Sequence, residues 1–163
     1  MAHDWANFFS ALAQVSGALV GLVFVALTFN AKTLLRGGDP LMGALARQTF
    51  SDFLLLLIVS MLMLVPHFSA LDMGEGLLIM VALGIGRILR DLFRLREHLR
   101  RLRIAQRFFL SLLGHAFLGA AGAELLRGAI GSGLTGSLLL SGTSLLLLSG
   151  CRSAWVLVVH EKP

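Results

Sequence analysis

The chain has 163 residues, of which 56% are hydrophobic and 14% are charged, and its mean hydropathy is +0.84. Soluble domains contain about 45–50% apolar and about 25% charged residues, so the composition excludes an ordinary soluble domain. Uncharged apolar runs of nearly membrane-spanning length recur along the chain and predict a polytopic integral membrane protein. The single cysteine, Cys151, excludes an internal disulfide and a cysteine-only metal site.

The first predicted element is a transmembrane helix from about Phe8 to Phe29. No charged residue lies between Asp4 and Lys32, which leaves enough apolar chain for a full crossing. No basic region precedes the apolar run, as it would in a secretory signal peptide, so we expect this helix to be retained.

One face of this helix is polar for a membrane span. Seven residues from Asn7 to Thr28 recur at alternating intervals of three and four, and all of them except Phe24 are small or polar. Two of the seven are glycines that form a G-x-x-x-G pair, which permits close approach of helices. The pattern has two interpretations: tight packing within the bundle, or a helix lining a water-filled path with Gln14 at mid-depth. The candidate pore-lining residues are Asn7, Ser10, Gln14, Gly17, Gly21 and Thr28, and the candidate packing residues are Gly17 and Gly21.

The second predicted helix begins at Pro40, with Asp39 as its N-cap. Its hydrophobic part extends from Phe53 to about Phe68, and Pro66 lies near its outer end. A short acidic connection is predicted near residues 71–76, on the external side of the membrane.

The third span is short of apolar residues. Only Gly76 to Gly86 separate Glu75 from Arg87, and these residues cover about 16 Å of a hydrocarbon core of about 30 Å. Either the helix continues through Arg87 and Arg90, or the segment is re-entrant. We favour the continuous helix, because apolar residues keep a helical spacing beyond residue 88.

Two further spans complete the predicted bundle. The fourth extends from about Phe108 to Leu126, and the fifth begins near Leu138 and extends toward Val159. The glycine-rich segment Gly131–Ser137 between them predicts a flexible external turn.

The segment Arg87–Arg107 contains eight of the fourteen Lys and Arg residues. Basic loops stay on the cytoplasmic side, so this segment predicts a cytoplasmic helical connection, with the N-terminus outside and the C-terminus inside. The net charge of +5 is explained by topology and anionic lipid headgroups rather than by nucleic acid. The predicted fold class is an all-α integral membrane protein, a single bundle of five transmembrane helices over residues 1–163, with four plus a re-entrant segment as the alternative.

Charged groups within or beside the spans are the candidate functional residues, because ionisable groups in a bilayer are costly. They form either structural ion pairs, such as Asp52 with Arg87 or Arg152, or a positively charged pore constriction that selects anions. His115 is expected to be packed or hydrogen-bonded, and Glu124 to pair with Arg127. The predicted cytoplasmic charge cluster is Asp52, Arg87, Arg90, Asp91 and Arg152.

Catalytic patterns are missing from the sequence. There is no H-E-x-x-H motif, no phosphate-binding glycine loop and no complete G-x-S-x-G turn. We therefore expect no enzymatic activity, no cofactor and no metal site.

Two segments of the sequence resemble segments of known proteins. W-x-x-F-F at Trp5–Phe9, continuing into AQVSGALVGLVFVALTFN at Ala13–Asn30, resembles the first helix of a group of small bacterial polytopic membrane proteins. RSAWVLVV at Arg152–Val159 is similar to the closing Arg-x-Ala-Trp segment of that group, although Val156 replaces the acid expected after the tryptophan. The resemblance implies a multi-pass protein of the bacterial inner membrane and no particular chemistry.

These observations predict a small, homo-oligomeric membrane channel that favours anions, with the polar face of the first helix lining the path. The alternative is a non-conducting scaffold or modulator whose basic cytoplasmic helix binds a protein partner or anionic lipid.

Overall fold

The computed structural model of the chain describes residues 2–29, 40–66, 69–94, 102–128 and 133–159. These residues form five helices, so the predicted all-α class is confirmed. The helices are α1 (Ala2–Phe29), α2 (Pro40–Leu64), α3 (Ala70–Arg94), α4 (Leu102–Leu126) and α5 (Gly133–Val159).

Helices α2 to α5 form an antiparallel four-helix bundle, and α1 packs on the outer side of α2. In the bundle α4 lies between α3 and α5, and α5 closes back onto α2. The contacts of Gly74 with Gly122 and of Gly84 with His115 show that α3 and α4 run in opposite directions. Helix α1 also reaches α5 at its N-terminal end, where Trp5 lies against Gly136.

Four of the helices, α1, α2, α4 and α5, are long and apolar enough to cross a membrane. Helix α3 does not meet that standard, because charged residues occupy both of its ends. It is nevertheless one unbroken helix of 25 residues, and the predicted continuous course through Arg87 and Arg90 is confirmed. At 1.5 Å per residue its length is about 37 Å, which is enough to pass through a hydrocarbon core of about 30 Å.

Helix α2 begins at Pro40, as predicted, and ends at Leu64, two residues before Pro66. The predicted acidic loop at residues 71–76 is wrong, because α3 already begins at Ala70. Ser69 and Asp72 cap this helix reciprocally: the Asp72 carboxylate accepts from the Ser69 backbone N–H at 3.2 Å, and Ser69 Oγ accepts from the Asp72 N–H at 3.2 Å.

Two other predicted connections also differ from those in the structure. Helix α5 begins at Gly133, so most of the predicted turn at Gly131–Ser137 is helical. The predicted basic connection at residues 87–107 contains the end of α3 at Arg94 and the start of α4 at Leu102. Residues 95–101 of that connection lie outside the described part of the chain.

Glycines set the distances between the bundle helices. A Cβ atom at Gly74 would lie 2.9 Å from the carbonyl oxygen of Gly122, and one at Gly114 would lie 3.2 Å from the carbonyl oxygen of Gly142. Backbones in contact at such points are typical of membrane helices, whose association depends on close van der Waals packing. The apolar core beside these contacts includes the fully buried Phe53, Leu56, Leu77, Leu118 and Leu146.

Candidate functional site

The antiparallel bundle separates the charged residues between its two ends. We call one end, formed by the N-terminal parts of α2 and α4 and the C-terminal parts of α3 and α5, the basic end. It carries Arg47, Arg87, Arg90 and Arg152 together with Asp52 and Asp91, whereas the described part of the opposite end carries Asp72, Glu75, Glu124 and Arg127.

Asp52 is the centre of a buried polar cluster at the basic end. Its side chain is 1% exposed, and it receives hydrogen bonds from two other helices. Ser111 Oγ of α4 donates to Oδ1 at 3.0 Å, and Ser149 Oγ of α5 donates to Oδ2 at 3.4 Å. The second contact depends on Gly150, where a Cβ atom would lie 2.5 Å from the ring of Phe53 and would keep α2 and α5 apart.

His115 lies one helical turn deeper than Ser111 on the same face of α4. Its side chain is fully buried, and Nδ1 is 2.8 Å from the carbonyl oxygen of Ser111. Since a carbonyl oxygen only accepts, Nδ1 carries the hydrogen, and Nε2 is left with a lone pair. Within the described part of the chain, Nε2 has no hydrogen-bond partner. The imidazole fits because its neighbour on α3 is Gly84.

Gln48 is buried one turn before Asp52 on the same face of α2. Its amide is near the Asp52 carboxyl group, but neither Nε2 nor Oε1 has a partner in hydrogen-bonding geometry among the described residues. Buried polar groups in proteins are nearly always hydrogen-bonded, either to other protein groups or to ordered water.

Arg87 supplies the nearest positive charge to this cluster. It is half-buried and interacts electrostatically with Asp52, Asp91 and His115, although among the described residues no ion pair joins it to Asp52 within 4 Å. Asp91, which is buried, instead forms an ion pair with Arg47 at 3.6 Å.

The predicted charge cluster is therefore only partly brought together. Asp52, Arg87 and Asp91 lie near one another, but the hydrogen bonds that Asp52 accepts come from the serine hydroxyls of α4 and α5. Arg152 is exposed, and so is Arg90. The predicted pairing of Glu124 with Arg127 is confirmed, with 2.7 Å between Oε1 and Nη1.

The polar face of α1 lies on the outside of the bundle, away from α2. The face that packs on α2 is formed by Phe9, Leu12, Ser16 and Val23, which are buried. Ser10 and Gly17 are half-buried at the border of the two faces. A Cβ atom at Gly17 would be 3.8 Å from Leu57, and one at Gly21 would meet nothing within 4 Å, so neither glycine makes a close backbone contact within one chain. The exposed members of the predicted stripe are Asn7, Gln14, Gly21 and Thr28.

Sequence reasoning missed the serines and the amide around Asp52. Two signals were present, because Gln48 and Asp52 on α2, and Ser111 and His115 on α4, are each four residues apart within apolar spans. Such pairs share one helix face. That the two faces meet each other, and that Ser149 joins them, depends on how the helices pack.

The described residues contain no group of three or more His, Cys, Asp or Glu side chains that could hold a metal ion. No protein-family model matches the chain, and no curated protein and no solved structure matches it either. The resemblance to small bacterial membrane proteins stays a prediction.

Proposed function

We propose that this chain is the protomer of a homo-oligomeric channel in the bacterial inner membrane, and that the conducting path lies between copies. The observation that carries the proposal is the position of the α1 polar face on the outside of the bundle. From Trp5 to Phe29, the other faces of α1 are packed on α2 or α5 or are apolar.

A single chain in a bilayer would place this polar face against acyl chains. Moving an amide into an apolar medium without hydrogen bonds costs roughly 2–7 kcal/mol. Gln14 Nε2 reaches Ser10 Oγ at 3.4 Å, which satisfies one of the several hydrogen-bonding positions of the amide. Contact with water or with a second copy removes this cost, and the open surface at Gly21 gives space for a neighbouring helix.

A conducting path through the interior of a single chain is less well supported. Beyond the Asp52 cluster, the core of the bundle is mainly apolar, with Leu56, Leu77, Leu118 and Leu146 fully buried. The hydroxyl groups of the buried Ser60 and Thr143 donate to carbonyl oxygens of their own helices. A layer of this kind offers few polar ligands to an ion. A path between copies avoids it.

The arrangement in the membrane follows from charge. All five helices cross the bilayer, the basic end faces the cytoplasm, the N-terminus is outside and the C-terminus is inside, in agreement with the positive-inside rule. Arg47, Arg90 and Arg152 are exposed at that end, and a mouth of this charge concentrates anions and repels cations. The channel is therefore anion-favouring.

The alternative, a scaffold, is favoured by one observation at the end of α3. Arg90 and Phe93 are both exposed there, and a cationic and aromatic surface suits anionic lipid or an acidic protein partner. Under this alternative, neutralising Arg96, Arg100 and Arg103 abolishes binding, and substitutions on α1 have no effect.

Ion flux from liposomes that contain the purified protein tests the channel directly. We expect chloride flux above that of empty liposomes, abolished by Gln14→Leu and retained by Val15→Leu, which changes an exposed apolar position one residue further along α1. Absence of flux for every ion tested, with correctly inserted protein, would rule out the channel and favour the scaffold. Flux that survives Gln14→Leu would rule out α1 as the lining helix.

Cross-linking tests where copies meet, in a Cys151→Ser background that removes the single cysteine. We expect oxidation to join copies that carry Gly21→Cys. Leu22→Cys is the matched control, because it is also exposed but is rotated by about 100° around the helix. Equal cross-linking of the two variants would indicate random collision and contradict an interface on the polar face.

A further inference from the structure

We propose that Asp52 and His115 form a buried proton-binding site, in which one proton is held by either the carboxyl group or the imidazole and is exchanged with the basic end. The site lies inside the four-helix bundle, on residues that the path along α1 does not use. It therefore stands or fails independently of conduction.

The contacts of Asp52 suit both of its protonation states. The oxygens of its side chain are held by the hydroxyl groups of Ser111 and Ser149, at 3.0 and 3.4 Å. A serine hydroxyl donates to a carboxylate and, after rotation about its C–O bond, accepts from a neutral carboxylic acid. An arginine in direct contact would hold only the ionised form, and Arg87 stays beyond ion-pair distance.

His115 supplies a base that contacts Ser111, the same residue that binds this acid. Its Nδ1 hydrogen is donated to the Ser111 carbonyl oxygen, and its Nε2 lone pair is buried and without a partner among the described residues. Uptake of a proton at Nε2 gives the imidazolium ion, which keeps the Nδ1 hydrogen bond. Ser111 thus contacts both groups, Asp52 through its hydroxyl and His115 through its carbonyl oxygen.

The charges around the pair oppose one another. Arg87 of α3 favours the carboxylate and disfavours the imidazolium, whereas the apolar surroundings disfavour both charged forms. Asp91, which also faces Arg87, partly offsets its charge. Since no single partner fixes the cluster in one state, the protonation state depends on the supply of protons. At the basic end, the other charged side chains that the structure describes are Arg47 on α2, Arg90 on α3 and Arg152 on α5. Asp72 and Glu75 on α3 and Glu124 on α4 lie at the opposite end, and α1 has no ionisable side chain between Trp5 and Phe29.

Protons reach the pair from the basic end. On the other side of His115 the bundle is closed by apolar side chains such as Leu77 and Leu118, whereas the Arg47–Asp91 ion pair on the near side is partly exposed. When Asp52 takes up a proton, Arg87 loses a facing negative charge, and the electrostatic attraction between α2 and α3 weakens. The site thus converts the acidity at one membrane surface into a change in helix packing.

Infrared difference spectroscopy of the full-length protein in lipid tests the proposal. Spectra are recorded while the pH is changed from about 4 to 9, a range that contains the ordinary carboxyl and imidazole pKa values and extends to those of carboxyl groups in apolar surroundings. We expect a carbonyl band of a buried carboxylic acid that changes with pH, shifts in D₂O and disappears in Asp52→Asn. The matched control, Asp72→Asn, changes an exposed acid at the opposite end and should keep the band. His115→Gln should move the midpoint of the band's pH dependence.

A band that does not change with pH, or one that survives Asp52→Asn, would overturn the proposal. An unchanged midpoint in His115→Gln would show that the two groups do not share a proton. Should either variant fail to fold, ¹⁵N-histidine NMR of the unmodified protein gives an independent answer. We expect one histidine protonated only at Nδ1 at high pH and doubly protonated at low pH, and the absence of such a histidine would contradict the site. None of these outcomes depends on ion flux.

Discussion

The imidazole of His115 lies directly against the backbone of Gly84, across the contact between α4 and α3. A Cβ atom at Gly84 would overlap Nε2 and would lie 2.6 Å from Cδ2. The absence of a side chain at this one position of α3 therefore allows a ring to be buried between the two helices, next to the Asp52 cluster.

Replacement of Gly84 by alanine should destabilise the bundle. The added methyl group meets a ring in a packed interior, and overpacking of this kind costs about 1–3 kcal/mol. We expect a loss of that size in the free energy of unfolding, measured by circular dichroism in mixed detergent micelles.

The matched control is Gly86→Ala, two residues further along α3, where a Cβ atom meets nothing within 4 Å. Its stability should stay the same or rise slightly, because alanine favours helix more than glycine does. His115→Ala should relieve the cost of Gly84→Ala in a double-mutant cycle. Additive losses would contradict a direct contact.

The two serines that bind Asp52 should contribute unequally. Ser111→Ala removes the shorter hydrogen bond, at 3.0 Å, and Ser149→Ala removes the longer one, at 3.4 Å. We expect unfolding free energies lower by about 1.5–3 kcal/mol for Ser111→Ala, if the carboxyl group is ionised, and by less than about 1 kcal/mol for Ser149→Ala. Ser144→Ala, at an exposed position of α5, should be nearly neutral, and equal effects at all three serines would contradict the geometry.

The N-terminal end of α1 should depend on Gly136 of α5. A Cβ atom there would lie 2.7 Å from Cζ2 of Trp5, whose ring stacks on Phe9 with 5.9 Å between centroids. Gly136→Val should displace the indole, at a cost of about 1–3 kcal/mol. In a Trp155→Phe background, which leaves one tryptophan, its fluorescence should move to longer wavelength.

Gly133→Val provides the comparison for this prediction, since a Cβ atom at Gly133 is in open space. The emission of Trp5 should be unchanged in that variant. If Gly136→Val also left the emission unchanged, Trp5 would not be packed on α5, and α1 would be held by α2 alone.

The apolar spans could be predicted well, because hydrocarbon accepts only long uncharged helices and this requirement is visible in a linear sequence. The predicted span from Phe108 to Leu126 lies within one helix, α4, which begins earlier, at Leu102, and ends at Leu126. Prediction failed at the connections between helices, because the same polar residue types occur in loops and at helix caps. Asp72 was predicted in a loop and instead caps the first turn of α3.

The candidate site, like the fold, was predicted from the sequence only in part. The sequence by itself determined that Asp52 and His115 lie within or beside apolar spans, that one end of the molecule is basic, and that α1 has a polar face. These are properties of composition and of helical period. Only the tertiary structure decided that Asp52 binds serines of α4 and α5, that Arg152 is exposed, and that the polar face of α1 is turned away from the bundle. Those results depend on the rotation of each helix about its axis and on which glycines allow backbones to touch, and both are set by contacts between residues that are distant in the chain.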